Sequence, residues 1–351
     1  MAQSELDLSL LTMNPQEADN VSMAIFEQAY DNDSLLGRTH GLITGIQMKT
    51  QIPFLGLLGD VGKKSVGCTP STSTETVPTT EKFADPELID YRLIHCQNLI
   101  PQLFKMWKKA AKAANTWEEA SEVVDFISDK GIEATLQAIL RLGLFGDKLA
   151  ENVTDGGSIT DGVDVTLLTP INGIFQQIFA DATLVRYTID ENVAATKVAQ
   201  LALAPDAALQ AMRYMYNNID PRVFDVPGLK FQMTRSLWNN WKDFLEDKSL
   251  IFQLDQTENS SSKGTYRGFD IEVRNDWDRN ILKYNDQGTT LLYPHRAIFT
   301  PIGNIPIITT DEESMKKVDS FYDKVTKSWY LDAAWYLDAK LLQESMIAVA
   351  Y

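Results

Sequence analysis

Cysteine and histidine are almost missing from this 351-residue chain, which holds only Cys68, Cys96, His40, His95 and His295. Two cysteines cannot make a disulfide framework, so the chain is expected to be made and kept in a reducing cytosol. Structural zinc sites show tight pairs such as C-x-x-C, and none is present. His95-Cys96 together with Cys68, His40 or His295 therefore reads as structural rather than metal-binding. Long apolar runs are lacking as well. None approaches the ~18 residues that a membrane-crossing helix needs. The start, MAQSELDLSLLTMNPQ, has acidic residues where a secretory signal has a basic stretch.

Positive charge is scarce: 32 Lys and Arg face 48 Asp and Glu, a formal net charge of -16. That balance argues against a nucleic-acid binder held by phosphate contacts, which needs clustered cations. Two readings stay open, ordinary solubility and a container whose wall does not grip its cargo.

Catalytic signatures are missing too. Gly62-Lys63-Lys64-Ser65 fails as a phosphate loop, because Leu57 stands where the first glycine belongs and Lys64 where a Ser or Thr must follow the lysine. No G-x-S-x-G, H-E-x-x-H or G-x-G-x-x-G occurs. Asp155 to Asp164 lacks calcium-loop spacing and reads as two turns. The aromatic and methionine residues at helical spacing, Met212 to Tyr216 and Trp238 with Trp241, read as core or interface. No enzyme activity, metal or cofactor is expected.

What is present is a sizeable core and a segmented chain. Apolar residues make up 44%, and this length suits two lobes. Residues 1–37 carry Glu5, Asp7, Glu17, Asp19, Glu27, Asp31 and Asp33 and no Lys or Arg, with a short helix expected after Asn14-Pro15-Gln16-Glu17. Such an acidic arm reads as lying on a partner. Residues 48–81, rich in Gly, Thr, Ser and Pro, read as a long hairpin with its tip near Gly59–Ser65, too poor in apolar residues to fold alone. A strand at Leu88–Ile94 leads to a helix around Leu99–Lys109. The capping box Thr116-Trp117-Glu118-Glu119 opens a long helix, interrupted or kinked at Gly131.

Turn signals between Asp155 and Asp164 mark a lobe boundary. Residues 165–250 read as mainly helical, starting at Thr169-Pro170 and Ala204-Pro205, with Leu237, Trp238, Trp241, Phe244 and Leu245 on one apolar face. Phe269, Ile271 and Val273 alternate with charged residues as a strand, and further strands follow over 291–309. The tail from Glu312 is expected to be helical and to contain the tandem WYLDAA (329–334) and WYLDAK (335–340). Met346–Tyr351 could close as a strand.

The last ninety residues carry a resemblance. YRGFDIEVRNDWDR, LLYPHRAIFTPIGNIPIITTDEE, FYDKV and the ending ESMIAVAY resemble the C-terminal half of tailed-bacteriophage major capsid proteins, most closely at Arg296-Ala297-Ile298-Phe299-Thr300-Pro301 with Asn304-Ile305. The resemblance implies an α+β chain of the Hong Kong 97-like capsid fold. It implies an N-terminal arm (1–47), an E-loop (48–82), a peripheral domain with its spine helix (83–154) and an axial domain (155–290). Strands and a C-terminal helix over 291–351 would be shared between the two domains. Hexamers and pentamers would close an icosahedral shell around double-stranded DNA in the virion.

The resemblance also implies partners. With no room here for a scaffolding extension, a separate scaffolding protein is expected, alongside a portal and decoration proteins. No covalent cross-link is expected. Lys63 and Lys64 at the hairpin tip, facing Glu17, Asp19, Asp31 and Asp33 of a neighbour's arm, are the expected inter-subunit contacts. Rival readings are an encapsulin-like nanocompartment of the same fold, an acidic cytosolic hydrolase, and a phage accessory or tail protein.

Overall fold

The computed structural model describes residues 35–46, 48–55, 79–96, 120–150, 165–248, 263–309, 317–323, 325–326 and 328–351. Their helices are α1 (Leu35–Thr39), α2 (Ala120–Phe145), α3 (Ile174–Ala180), α4 (Lys197–Leu201), α5 (Ala207–Asn218), α6 (Arg235–Asp247) and α7 (Asn275–Tyr284). Thirteen strands accompany them in three sheets.

The first sheet is built on β12 (Ser328–Ala339), the longest strand. On one side it pairs antiparallel with β4 (Glu87–Cys96) over its first ten residues. On the other it pairs first with β11 (Lys317–Asp323), then with β10 (Ile307–Thr309), which takes the short parallel β1 (Leu42–Ile43) on its far edge. One face lies against α2. There Ile89, Ala333, Trp335 and Leu337 join Ala138, Ile139 and Leu142 in a single cluster. Tyr91 closes it, edge-on to Trp335 at 5.5 Å and within hydrogen-bond distance of the Thr135 hydroxyl on α2 (3.3 Å).

The second sheet has six strands in the order β5 (Val185–Tyr187), β13 (Ala348–Ala350), β9 (Ala297–Pro301), β6 (Leu229–Met233), β8 (Phe269–Val273) and β7 (Lys263–Tyr266). Helices α5 and α6 cover one face through Met212, Met215, Leu237, Trp238 and Trp241. The other face shares the large cluster with α2, α3 and α7, to which β9 gives Ile298 and β13 gives Val349. Two-sided cover explains why the closing strands read as nearly continuous apolar runs. The chain packs tightly where α2 ends: an added Cβ on Gly146 would lie 2.5 Å from the Ile171 carbonyl oxygen, so only glycine lets α2 and the approach to α3 come this close.

The third sheet is the hairpin of β2 (Thr50–Leu55) and β3 (Thr79–Ala84), antiparallel from Thr50↔Ala84 to Leu55↔Thr79.

Three sequence expectations change. The tail is not helical: β11 and β12 replace the helix expected from Glu312 and its C-terminal helix. The tandem explains why. A six-residue repeat is even, so in a strand each copied residue returns to the same face, whereas in a helix it would be turned by about 120°. Accordingly Ala333, Trp335, Leu337 and Ala339 are all buried, while Tyr330, Ala334 and Tyr336 are not. Second, α2 runs through Gly131 without a break. Tertiary packing outweighs the ~1 kcal/mol that glycine costs inside a helix. Third, α3 begins at Ile174, after a turn that follows Thr169-Pro170.

Strands at 88–94, 269–273 and the C-terminus, and the apolar face of α6, stand as expected. The helices expected at 14–29 and 99–109, the capping box at 116–119, the hairpin tip and the turns at 155–164 fall outside the described residues.

Candidate functional site

Three surfaces among the described residues carry candidate functional features. The first is where the N-terminal segment joins the body. Lys230 Nζ donates to the Arg38 carbonyl (2.7 Å), and Gln232 Nε2 donates to that of Thr39 (2.9 Å). Arg274, wholly buried on the six-stranded sheet, donates to Gln232 Oε1 (2.6 Å) and pairs with both oxygens of Asp276 (2.9 and 2.8 Å).

Burial, reinforced by the Arg274 charge, lowers the His40 pKa to about 3. The ring is therefore neutral and donates from Nδ1 to the Ile305 carbonyl (3.0 Å). Burial opposes ionisation of Asp276, but the Arg274 charge and hydrogen bonds outweigh it and hold the carboxyl below its usual range. The segment from Leu35 to His40 is thus tied to both sheets by hydrogen bonds among buried groups.

The second surface is the hairpin with the sheet face beside it. The hairpin root rests on a small cluster of Ile52, Ala84, Ile308 and Leu342. Lys82 pairs with Glu344, and the Asp85 amide donates to Asp338 Oδ2 (2.8 Å). Among the described residues this cluster is small, and a lone two-stranded hairpin is marginal in water. On the face of the five-stranded sheet away from α2, Leu88 and Ile94 are 55% and 56% exposed. Between them Arg92 forks onto Asp332 of β12 (2.6 Å to each oxygen) and lies over the Tyr330 ring.

A third surface borders β5, an edge strand of the six-stranded sheet. Val193, Val198 and Leu201 are 70%, 81% and 60% exposed. The segment that bears them is firmly held. Asn192 makes a two-way pair with the backbone of His295 (2.7 and 2.9 Å), and the Gln200 amide donates to the Asn192 and Leu291 carbonyls (2.8 Å each). His295, its pKa lowered by burial, donates from Nε2 to the Gln200 carbonyl (2.7 Å) and accepts from Ser236 (2.6 Å). Apolar side chains presented on a rigid base lose little freedom when a partner covers them.

The sequence-predicted contact residues Lys63, Lys64, Glu17, Asp19, Asp31 and Asp33 lie outside the described residues, so the expected pairing of hairpin tip with arm is neither met nor opposed. His40 and His295 sit in separate networks and do not converge. Among the described residues no group of three or more His, Cys, Asp or Glu could hold a metal, and no helix is long and apolar enough to cross a membrane. Sequence reading missed the exposed face of β4. Its signal was there: Leu88 and Ile94 are apolar on one side of the strand while Ile89 and Tyr91 are apolar on the other, a pattern of two-sided cover of which the described residues supply one side.

The RAIFTP match is structural. Arg296 is buried against the rings of Phe145, Phe175 and Phe179 (5.4, 4.5 and 5.1 Å) and donates to the Tyr293 and Leu292 carbonyls and to Asn285 Oδ1. Burial lowers its pKa to about 9. Asn304 pairs with the Gln343 backbone in both directions (2.9 and 2.8 Å) and locks the turn after β9 to the chain leaving β12.

No family model and no curated protein matches this sequence. Solved structures do. A chain of the satellite phage P4 procapsid, a particle that includes the size determination (Sid) protein, is 11% identical at a TM-score of 0.54, with 94% of this chain and 98% of that chain covered. A chain from the capsid of an empty GTA particle is 12% identical at a TM-score of 0.50, with 90% and 88% covered. At such identities the likeness is one of fold: the chain has the mixed helix-and-sheet fold of phage capsid proteins along nearly its whole length.

Proposed function

We propose that this chain is the major capsid protein of a tailed bacteriophage and acts by self-assembly rather than by catalysis. One observation carries the reading, the end-to-end fold likeness to a procapsid chain that covers 94% of this chain and 98% of that one. Two features of the subunit support it independently. Among the described residues the hairpin of β2 and β3 has a small cluster at its root, and Leu88 and Ile94 are exposed on one sheet face. A monomer gains nothing from either, but a closed assembly buries both. Burying one such side chain contributes about 1.5–3 kcal/mol, and every subunit repeats the gain.

In the finer reading the chain follows the Hong Kong 97-type layout: an arm over 1–47, an E-loop over 48–82, a peripheral domain over 83–154 with α2 as spine helix, and an axial domain over 155–290. Strands over 291–351 are shared between the last two. Hexamers and pentamers close into an icosahedral shell that encloses double-stranded DNA without reading its sequence. A separate scaffolding protein and a portal complete the assembly, and decoration proteins are further candidate partners. Contacts of Lys63 and Lys64 with Glu17, Asp19, Asp31 and Asp33 of a neighbour belong to this proposal.

The test is expression with and without the neighbouring genes of its source, followed by sedimentation and electron microscopy. Closed shells or capsomers are expected. A monomer under every assembly condition overturns the reading. Shells that fill with an enzyme cargo rather than DNA move the protein to the nanocompartment class.

A further inference from the structure

Helices α2 and α7 enclose a cleft of about 190 Å³, lined by Gln137, Leu140 and Arg141 on one side and by Asp276, Arg279, Asn280, Lys283 and Tyr284 on the other. It is smaller than the ~300–1,000 Å³ of a typical small-molecule site. Its charge is unusual for a chain of net charge -16. Arg141, Arg279 and Lys283 converge there, and none of them is in an ion pair among the described residues. The one carboxylate in the wall, Asp276, has both oxygens committed to Arg274. Arg141 Nε is buried without a hydrogen-bond partner, an unmet donor that favours the arrival of an acceptor. The cleft is therefore built for an anion.

We propose that this cleft docks carboxylates of the chain's own N-terminal segment, residues 1–34. Charge complementarity favours it, since those residues carry seven Asp and Glu and no Lys or Arg. So does the point where the segment meets the body. It enters at Leu35, and α1 is only five residues long. His40, which follows α1, has Nε2 3.4 Å from the Nη1 of Arg274, the partner of the Asp276 that lines the cleft. Leu36 packs in the same cluster as Leu140 and Tyr284 of the cleft wall. Glu27, which the inter-subunit contacts proposed above do not use, precedes Leu35 by eight residues, a reach of up to about 28 Å in extended chain. Three cations in a small cleft are a poor match for a nucleic-acid backbone, which needs a longer series of phosphate contacts.

Zero-length carbodiimide coupling of the full chain, read by peptide mass spectrometry, tests this whether or not shells form. Lys283 is expected to join a carboxylate within residues 1–34. Arg279→Gln, which keeps the lysine, should cut that yield roughly threefold, the size of one exposed ion pair. Arg279→Lys should keep it, and both variants should melt like the parent. Coupling of Lys283 only to carboxylates outside 1–34, or a yield unmoved by Arg279→Gln, overturns the proposal. So does a single-stranded oligonucleotide that suppresses the coupling and is released by Arg279→Gln, which would assign the cleft to nucleic acid.

Discussion

The two large sheets solve the same burial problem in opposite ways. The six-stranded sheet is covered on both faces from within the subunit: β9 is buried at all five positions, and its neighbours β13 and β6 are nearly so. Its polar groups are paired, as Arg274 with Asp276 and Gln232 show. The five-stranded sheet is longer in strand and, among the described residues, is covered on the face toward α2, with Leu88 and Ile94 open on the other. The six-stranded sheet is a folding core, and the five-stranded sheet leaves apolar side chains exposed on its open face. On the proposed function, fold and assembly are separable by mutation, because the residues proposed for each sit on different sheets.

The largest effect should come from the covered sheet. Phe299, fully buried, stacks on Phe231 with ring centroids 4.0 Å apart. Phe299→Ala should cost about 3–5 kcal/mol, read from urea unfolding of the subunit. A loss under 1 kcal/mol would mean that the core lies elsewhere and would break the contrast.

A smaller effect sharpens it through pH. Asp278 on α7 accepts the Arg235 amide at the start of α6 (2.9 Å), and burial raises its pKa to about 6. Because the folded-state value is raised, the stability tied to this group is fully present below the ordinary carboxylate range and is lost as pH rises through about 6. Asp278→Asn removes that loss while keeping an acceptor for the amide. It should stabilise the subunit by about 1 kcal/mol at pH 8, after allowance for partial solvent screening, and by much less at pH 5. Melting curves at the two pH values measure the gap. A gap that does not close at low pH would assign the effect to something other than ionisation.

The smallest effect on the subunit should come from the open face. Leu88→Ser with Ile94→Ser should change subunit stability by no more than about 0.5 kcal/mol, as exposed substitutions do, yet should abolish or greatly slow assembly followed by light scattering. Normal assembly kinetics would show that the open face stays open in the particle.

Local chemistry made much of this fold legible. Alternation at Phe269, Ile271 and Val273, the apolar stripe of α6 and the run at the C-terminus each specify their element within a few residues, because the side chains that choose it are neighbours in sequence. The tail from 312 was misread where a short duplicated motif was weighed by composition instead of parity. The candidate surfaces were less legible still. Exposure of Leu88 and Ile94 depends on which of two apolar faces α2 happens to cover. The basic cleft brings Arg141 together with Arg279 and Lys283 from a helix more than a hundred residues away.

By itself the sequence determined the acidic balance and most of the strand and helix periods. These follow from residue type and from spacings of two to four. Only the tertiary structure decided which apolar face is left bare, which buried cations are paired and which are not, and how the arm's root is tied to both sheets. Those outcomes depend on distances between segments far apart in the chain, and no local pattern encodes them.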